Sequence, residues 1–233
     1  MGIQLAGLNN PTVAIAVDPT FDALHVSGRS MECYGWNMIS TNTGNLTAAV
    51  AWVNTTGAGT IWSLRNNGPA YVAIRKVTIG FRLTTAFTTA QMMDYALTVG
   101  RNHITPFIAG TGSAILNTNS SYSSGKLNRS FAFPMVSIIT AGTASLTALT
   151  AGNVNWDPNY LGYVNFWAGA IGAGIPPSTV LFESLPGEAP LVLRQNESVN
   201  VANVTLMGAV GVGIATINVE FAEIPLFSMS VIV

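Results

Sequence analysis

Between Leu191 and Glu220 the chain reads LVLRQNESVNVANVTLMGAVGVGIATINVE, and one position in two is favoured for burial at Leu191 and Leu193, Val199 and Val201, Ile214 and Thr216, then Val219 and Phe221. A period of two marks strands that bury one face. Gln195-Asn196-Glu197-Ser198 and the glycines Gly208, Gly211 and Gly213 break the pattern with turn chemistry. The spacing predicts an antiparallel strand-turn-strand-turn-strand unit closing a β-sandwich.

The alternation continues elsewhere. Tyr34, Trp36 and Met38 predict a strand over 31–40, Ala49, Ala51 and Val53 one over 47–53, and residues 60–64 another, ahead of the turn Arg65-Asn66-Asn67-Gly68-Pro69. In the long run 70–86, Val72 and Ile74 have one parity and Val77, Ile79, Phe81 and Leu83 the other, so a β-bulge or bend is expected at Arg75-Lys76. Residues 84–94 fit one helical turn, and 95–100 resume as strand. The Gly-, Ser- and Asn-rich stretch 101–125 reads as a surface loop. Strands over 136–140 and 143–149 flank Ala141-Gly142, and a strand over 161–170 places Tyr163, Asn165 and Trp167 on one face.

These elements describe an all-β protein: an antiparallel β-sandwich over residues 31–223, an N-terminal arm over 1–30 and an apolar C-terminal strand over 224–233. Left uncovered, the two ends would be sticky edges. Ile3, Leu5, Val13, Ile15 and Val17 in the arm, and Leu226, Phe227, Met229 and Val231 in the tail, are therefore the candidates for contacts with sibling copies or a larger scaffold.

Composition changes the picture at one point. Charged residues make up 8% of the chain, against about 25% in an ordinary soluble domain. With a net charge of −1 and a mean hydropathy of +0.42, the exterior must be largely Thr, Asn, Ser, Gly and apolar, which favours association. A homo-oligomer is expected. No run of about eighteen apolar residues exists to cross a membrane as a helix, and no aromatic girdles suggest a membrane barrel. MGIQLAGLNN lacks the basic opening of a signal peptide, and Ala6 spoils a myristoylation frame at Gly2. Synthesis in a cytoplasm and no membrane partner are expected.

Little chemistry is present to read. Cys33 is the single cysteine, which excludes an internal disulfide. His25 and His103 lack ligands at metal spacing, the carboxylates are scattered, and GAVGVG and AGAIGAGIPP lack the Lys-Ser/Thr of a phosphate loop. Neither enzyme activity, metal nor cofactor is expected. Arg75-Lys76 and Lys126 with Arg129 are too few for a nucleic-acid partner. The best candidate for a sugar-binding patch is the turn holding Trp156, Asp157 and Tyr160.

A long strand ending in TTAFTTAQ, a YALTVGR strand, a low-complexity middle and EAPLVLRQNESV leading to ATINVEFAE follow one another in this order. That order resembles virion proteins of tailed bacteriophages, in particular small β-sandwich proteins that decorate heads or form fibres. The resemblance implies a jelly-roll-like fold and a homotrimer located in the virion. It also implies the role of a decoration or cement protein on the major capsid protein, bridging capsomers. A glycan-binding module of a tail or head fibre, and a single jelly-roll major capsid protein, are the alternatives.

Overall fold

In the computed structural model the alternation resolves into antiparallel pairing. Residues 36–69, 71–104, 136–142, 146, 154–169, 178–185 and 188–224 are described with their side chains, and the backbone alone at 5–7, 10–13, 17–18, 23–24, 114–116, 123–126 and 174–177. The chain divides into units 1–35 and 36–233. In the first, β1 (Leu5–Gly7) pairs with β2 (Asn10–Val13), and β3 (Val17–Asp18) with β4 (Ala23–Leu24). Leu5, Val13 and Val17 lie on these strands. Ile3, Ile15, Cys33, Leu226, Phe227, Met229 and Val231 lie outside the described residues.

The second unit continues with β5 (Asn37–Asn42), β6 (Leu46–Thr47), β7 (Thr60–Asn66), β8 (Tyr71–Thr85), β9 (Gln91–Arg101), β10 (Ala114–Leu116) and β11 (Ser123–Lys126). After them come β12 (Val136–Thr140), β13 (Asn155–Trp156), β14 (Gly162–Ala168), β15 (Gly174–Glu183), β16 (Leu191–Leu193), β17 (Ser198–Asn203) and β18 (Val212–Ile224). One sheet runs β11-β5-β18-β8-β15, with β6 on β18 and β16 on β8. The other runs β10-β12-β7-β17-β9-β13, with β14 also on β9. Among the described residues there is no helix.

The pairing is nested. β5 pairs with β18, β7 with β17, β8 with β15 and β9 with β14, so the first half of the sandwich is laid antiparallel along the second and rolled into two sheets. This is the topology of a jelly roll. Phe81 of β8 joins the layers: its ring lies 5.8 Å from Tyr95 of β9 and 5.3 Å from Phe166 of β14, which stack on each other at 5.6 Å. All three rings contribute to one hydrophobic core.

Several local expectations are corrected. The three strands after Leu191 are real but do not form a meander: β16 and β18 belong to one sheet and β17 to the other, because consecutive strands of the roll cross between layers. On β18 the buried parity is Gly213, Ala215, Ile217, Val219 and Phe221, with Ile214 and Thr216 half-exposed. The small inward residues make room for a large neighbour, since a Cβ at Gly213 would collide with the Phe81 ring. Residues 84–94 hold no helical turn, as β8 runs to Thr85 and β9 begins at Gln91. Of 47–53, Thr47 is in β6 and Val53 makes an isolated bridge to Ala58. Arg65 and Asn66 are the buried end of β7 rather than turn. The expected bulge is present: Glu220 pairs with Lys76 and Phe221 with Ile74, leaving Arg75 as the extra residue.

At Gly162 the two layers meet closely, and a methyl group there would overlap the carbonyl oxygen of Leu181 on β15. The backbones of β14 and β15 would have to separate. Gly162→Ala is expected to lower stability by about 1–3 kcal/mol, seen as a lower urea midpoint with an unchanged slope. An unchanged midpoint would contradict this close approach.

Candidate functional site

β7 and β17 are buried on both faces. One face, with Trp62, Leu64, Val199 and Val201, enters the core. The other carries Ser63, Arg65, Ser198 and Asn200, set side by side by the registers Ser63↔Asn200 and Arg65↔Ser198, with Thr98 opposite Asn200 on β9. Ser63 Oγ donates to Asn200 Oδ1 at 2.5 Å, Asn200 Nδ2 donates to Ser198 Oγ at 3.2 Å, and His103 Nδ1 lies 3.1 Å from Ser198 Oγ.

Arg65 anchors the covering loop. Its Nε donates to the His103 carbonyl at 2.6 Å, and one terminal nitrogen donates to the Ile104 carbonyl at 2.9 Å and to Asn196 Oδ1 at 2.7 Å. The other terminal nitrogen donates to Asn67 Oδ1. Desolvation, then the Arg65 charge, push the His103 imidazole down to about 4, so it is neutral at neutral pH. A histidine beside a serine invites comparison with a base and its nucleophile. Ser198 is fully buried and its hydroxyl is already engaged by Asn200, so no substrate reaches it. The cluster holds the fold together.

Several other charged side chains are paired near the surface. Arg75 donates twice to Glu220 and lies over the Trp36 ring, Lys76 meets Glu183 at 2.9 Å, and Arg101 bridges Asp157 and Glu197. Exposed pairs of this kind contribute little stability. Among the described residues no three His, Cys, Asp or Glu side chains stand together as a metal site.

Trp156 and Asp157 are half-buried and Tyr160 is exposed, and each engages a different neighbour. Trp156 packs edge-on against Trp52 with centroids 4.8 Å apart, Asp157 is held by Arg101 at 3.2 Å, and Tyr160 instead stacks on Tyr163. The outward tryptophan is Trp167, 62% exposed, on the same side of β14 as Tyr163 and Asn165. The alternation of that strand was the available signal. It gives parity, but not which parity faces solvent.

No protein-family model matches the chain, and no curated protein matches it. Among solved structures, one of infectious bursal disease virus Gt strain aligns at 14% identity with a TM-score of 0.16, covering 97% of this chain and 48% of that one. So slight a likeness carries no argument.

Proposed function

We propose that the chain is a non-enzymatic structural subunit of a bacteriophage virion, a cement protein that assembles as a homotrimer and bridges neighbouring capsomers of the major capsid protein. A jelly roll by itself carries no function. The reading is carried by the exterior: Ile104, Leu185, Leu206 and Val210 are each more than half exposed on a chain with 8% charged residues. An exterior of that kind is suited to wide contacts with few charges to desolvate.

Sedimentation of the purified chain, measured beside its copy number in the particle, tests the proposal. A trimer is expected, and because its contacts hold few charges it should persist from about 0.05 to about 1 M salt. Particles lacking the chain are expected to rupture at lower temperature. A freely soluble monomer at high concentration, or particles equally heat-stable without the chain, would refute the role. The same weakly charged, apolar exterior would also serve a second reading, a single jelly-roll major capsid protein. A copy number equal to the whole shell lattice would select that reading.

A further inference from the structure

The outer face of β9 is covered at one end and open at the other. Gly100, Thr98 and Ala96 are buried, whereas Asp94 is half-buried and Met92 is 42% exposed. Beside the open end lies β14, whose register sets Tyr163 next to Ala96, Asn165 next to Asp94 and Trp167 next to Met92. Residues directly opposite in an antiparallel pair share a face. Tyr163 is 49% exposed and Tyr160, 42% exposed, extends the line by stacking on it with centroids 6.4 Å apart and planes 20° from parallel. The Trp167 and Tyr163 positions are about 13 Å apart along the strand, with a carboxamide and a carboxylate between them. Thr205 donates its hydroxyl to that carboxylate.

The polar centre decides what fits. The core of a protein interface is depleted in charged side chains, yet here Asp94 sits between the rings. Flat rings at both ends of a hydrogen-bonding centre complement a ligand with apolar C–H faces and a rim of hydroxyl groups. A carboxylate accepts from hydroxyls and repels anions, so the ligand carries no negative charge. We infer that the outer face of β14 binds a neutral polysaccharide, with Tyr160, Tyr163 and Trp167 stacking on sugar rings and Asp94 and Asn165 taking their hydroxyls. This activity goes beyond the shell role and does not depend on it.

Affinity electrophoresis of the full chain in native gels containing dextran, laminarin, mannan or galactan tests it, with anionic alginate as the comparison. Retardation by at least one neutral polymer and none by alginate is expected. Trp167→Ala and Tyr163→Ala should each weaken retardation by about tenfold at an unchanged melting temperature, and Trp167→Phe should keep part of it. Should Trp167→Ala fold poorly, Trp167→Phe and Asn165→Ala carry the same comparison. Three results would each overturn the inference: no retardation by any of the four neutral polymers, equal retardation of wild type and ring variants, or a changed sedimentation coefficient of Trp167→Ala without sugar. The last would mark the face as a contact between copies, and it leaves the trimer proposal to be judged on its own measurement.

Discussion

Arg65→Ala is expected to cost about 2–4 kcal/mol of stability and to shift the urea midpoint well below that of the wild type. Arg65 is 5% exposed and its guanidinium serves two carbonyls and two carboxamides. Truncation removes this donor from the Ile104 carbonyl, at an exposed residue, and from the buried His103 carbonyl, and a buried acceptor left unsatisfied costs about 1–3 kcal/mol. One effect works in the opposite direction. Desolvation lowers the Arg65 pKa, so burying its charge is unfavourable and removing that charge returns part of the loss. Four hydrogen bonds outweigh that single desolvation. Arg65→Lys is expected to fall between the two, because an ammonium cannot reproduce the planar fork. A midpoint for Arg65→Ala within about 0.5 kcal/mol of wild type, the range of an ordinary surface change, would show that the guanidinium does not fasten the loop.

Acidification is expected to destabilise the fold through His103. Its folded pKa is depressed from 6.5 to about 4, so between those values the unfolded chain binds the proton and the folded one does not. Stability therefore rises with pH across this window. The full contribution is present above pH 6.5, is lost progressively as the pH falls, and changes no further below about 4. A difference of that size corresponds to about 3 kcal/mol. Protonation would set a second cation beside Arg65 in a site that is almost dry. Urea midpoints measured every half unit for wild type and His103→Gln isolate the effect, since other titrating groups are common to both. Parallel profiles would mean that His103 is not the group that responds.

The fold was legible where alternation is unambiguous. The parity change at Arg75-Lys76 marked a bulge that the pairing with β18 confirms, because adding one residue exchanges the faces of everything beyond it. Alternation was silent on partners. Val199 and Val201 sit on a strand between β7 and β9, while Leu191 and Leu193 pair with β8 in the opposite sheet, and no local pattern distinguishes those neighbours. Glycine and alanine on the inward side of β18 misled for a physical reason. Hydrophobicity assigned the interior to Ile214, but volume assigned it to Gly213 and Ala215, which fit against Phe81. The polar cluster was hidden in the same way. Arg65 belongs to an RNNGP run whose composition spells a turn, and its burial depends on Asn196 and His103, both remote in sequence.

Because Asn37 must meet Phe221 before the outermost ladder can form, the molecule has few contacts it can make early. Chains dominated by distant pairings fold slowly, in milliseconds to seconds. The ribosome has to deliver Phe221 before the strand that begins at Asn37 finds its partner. Until then its apolar strands have no ladder to join, so the timing of folding is written into the order of its strands.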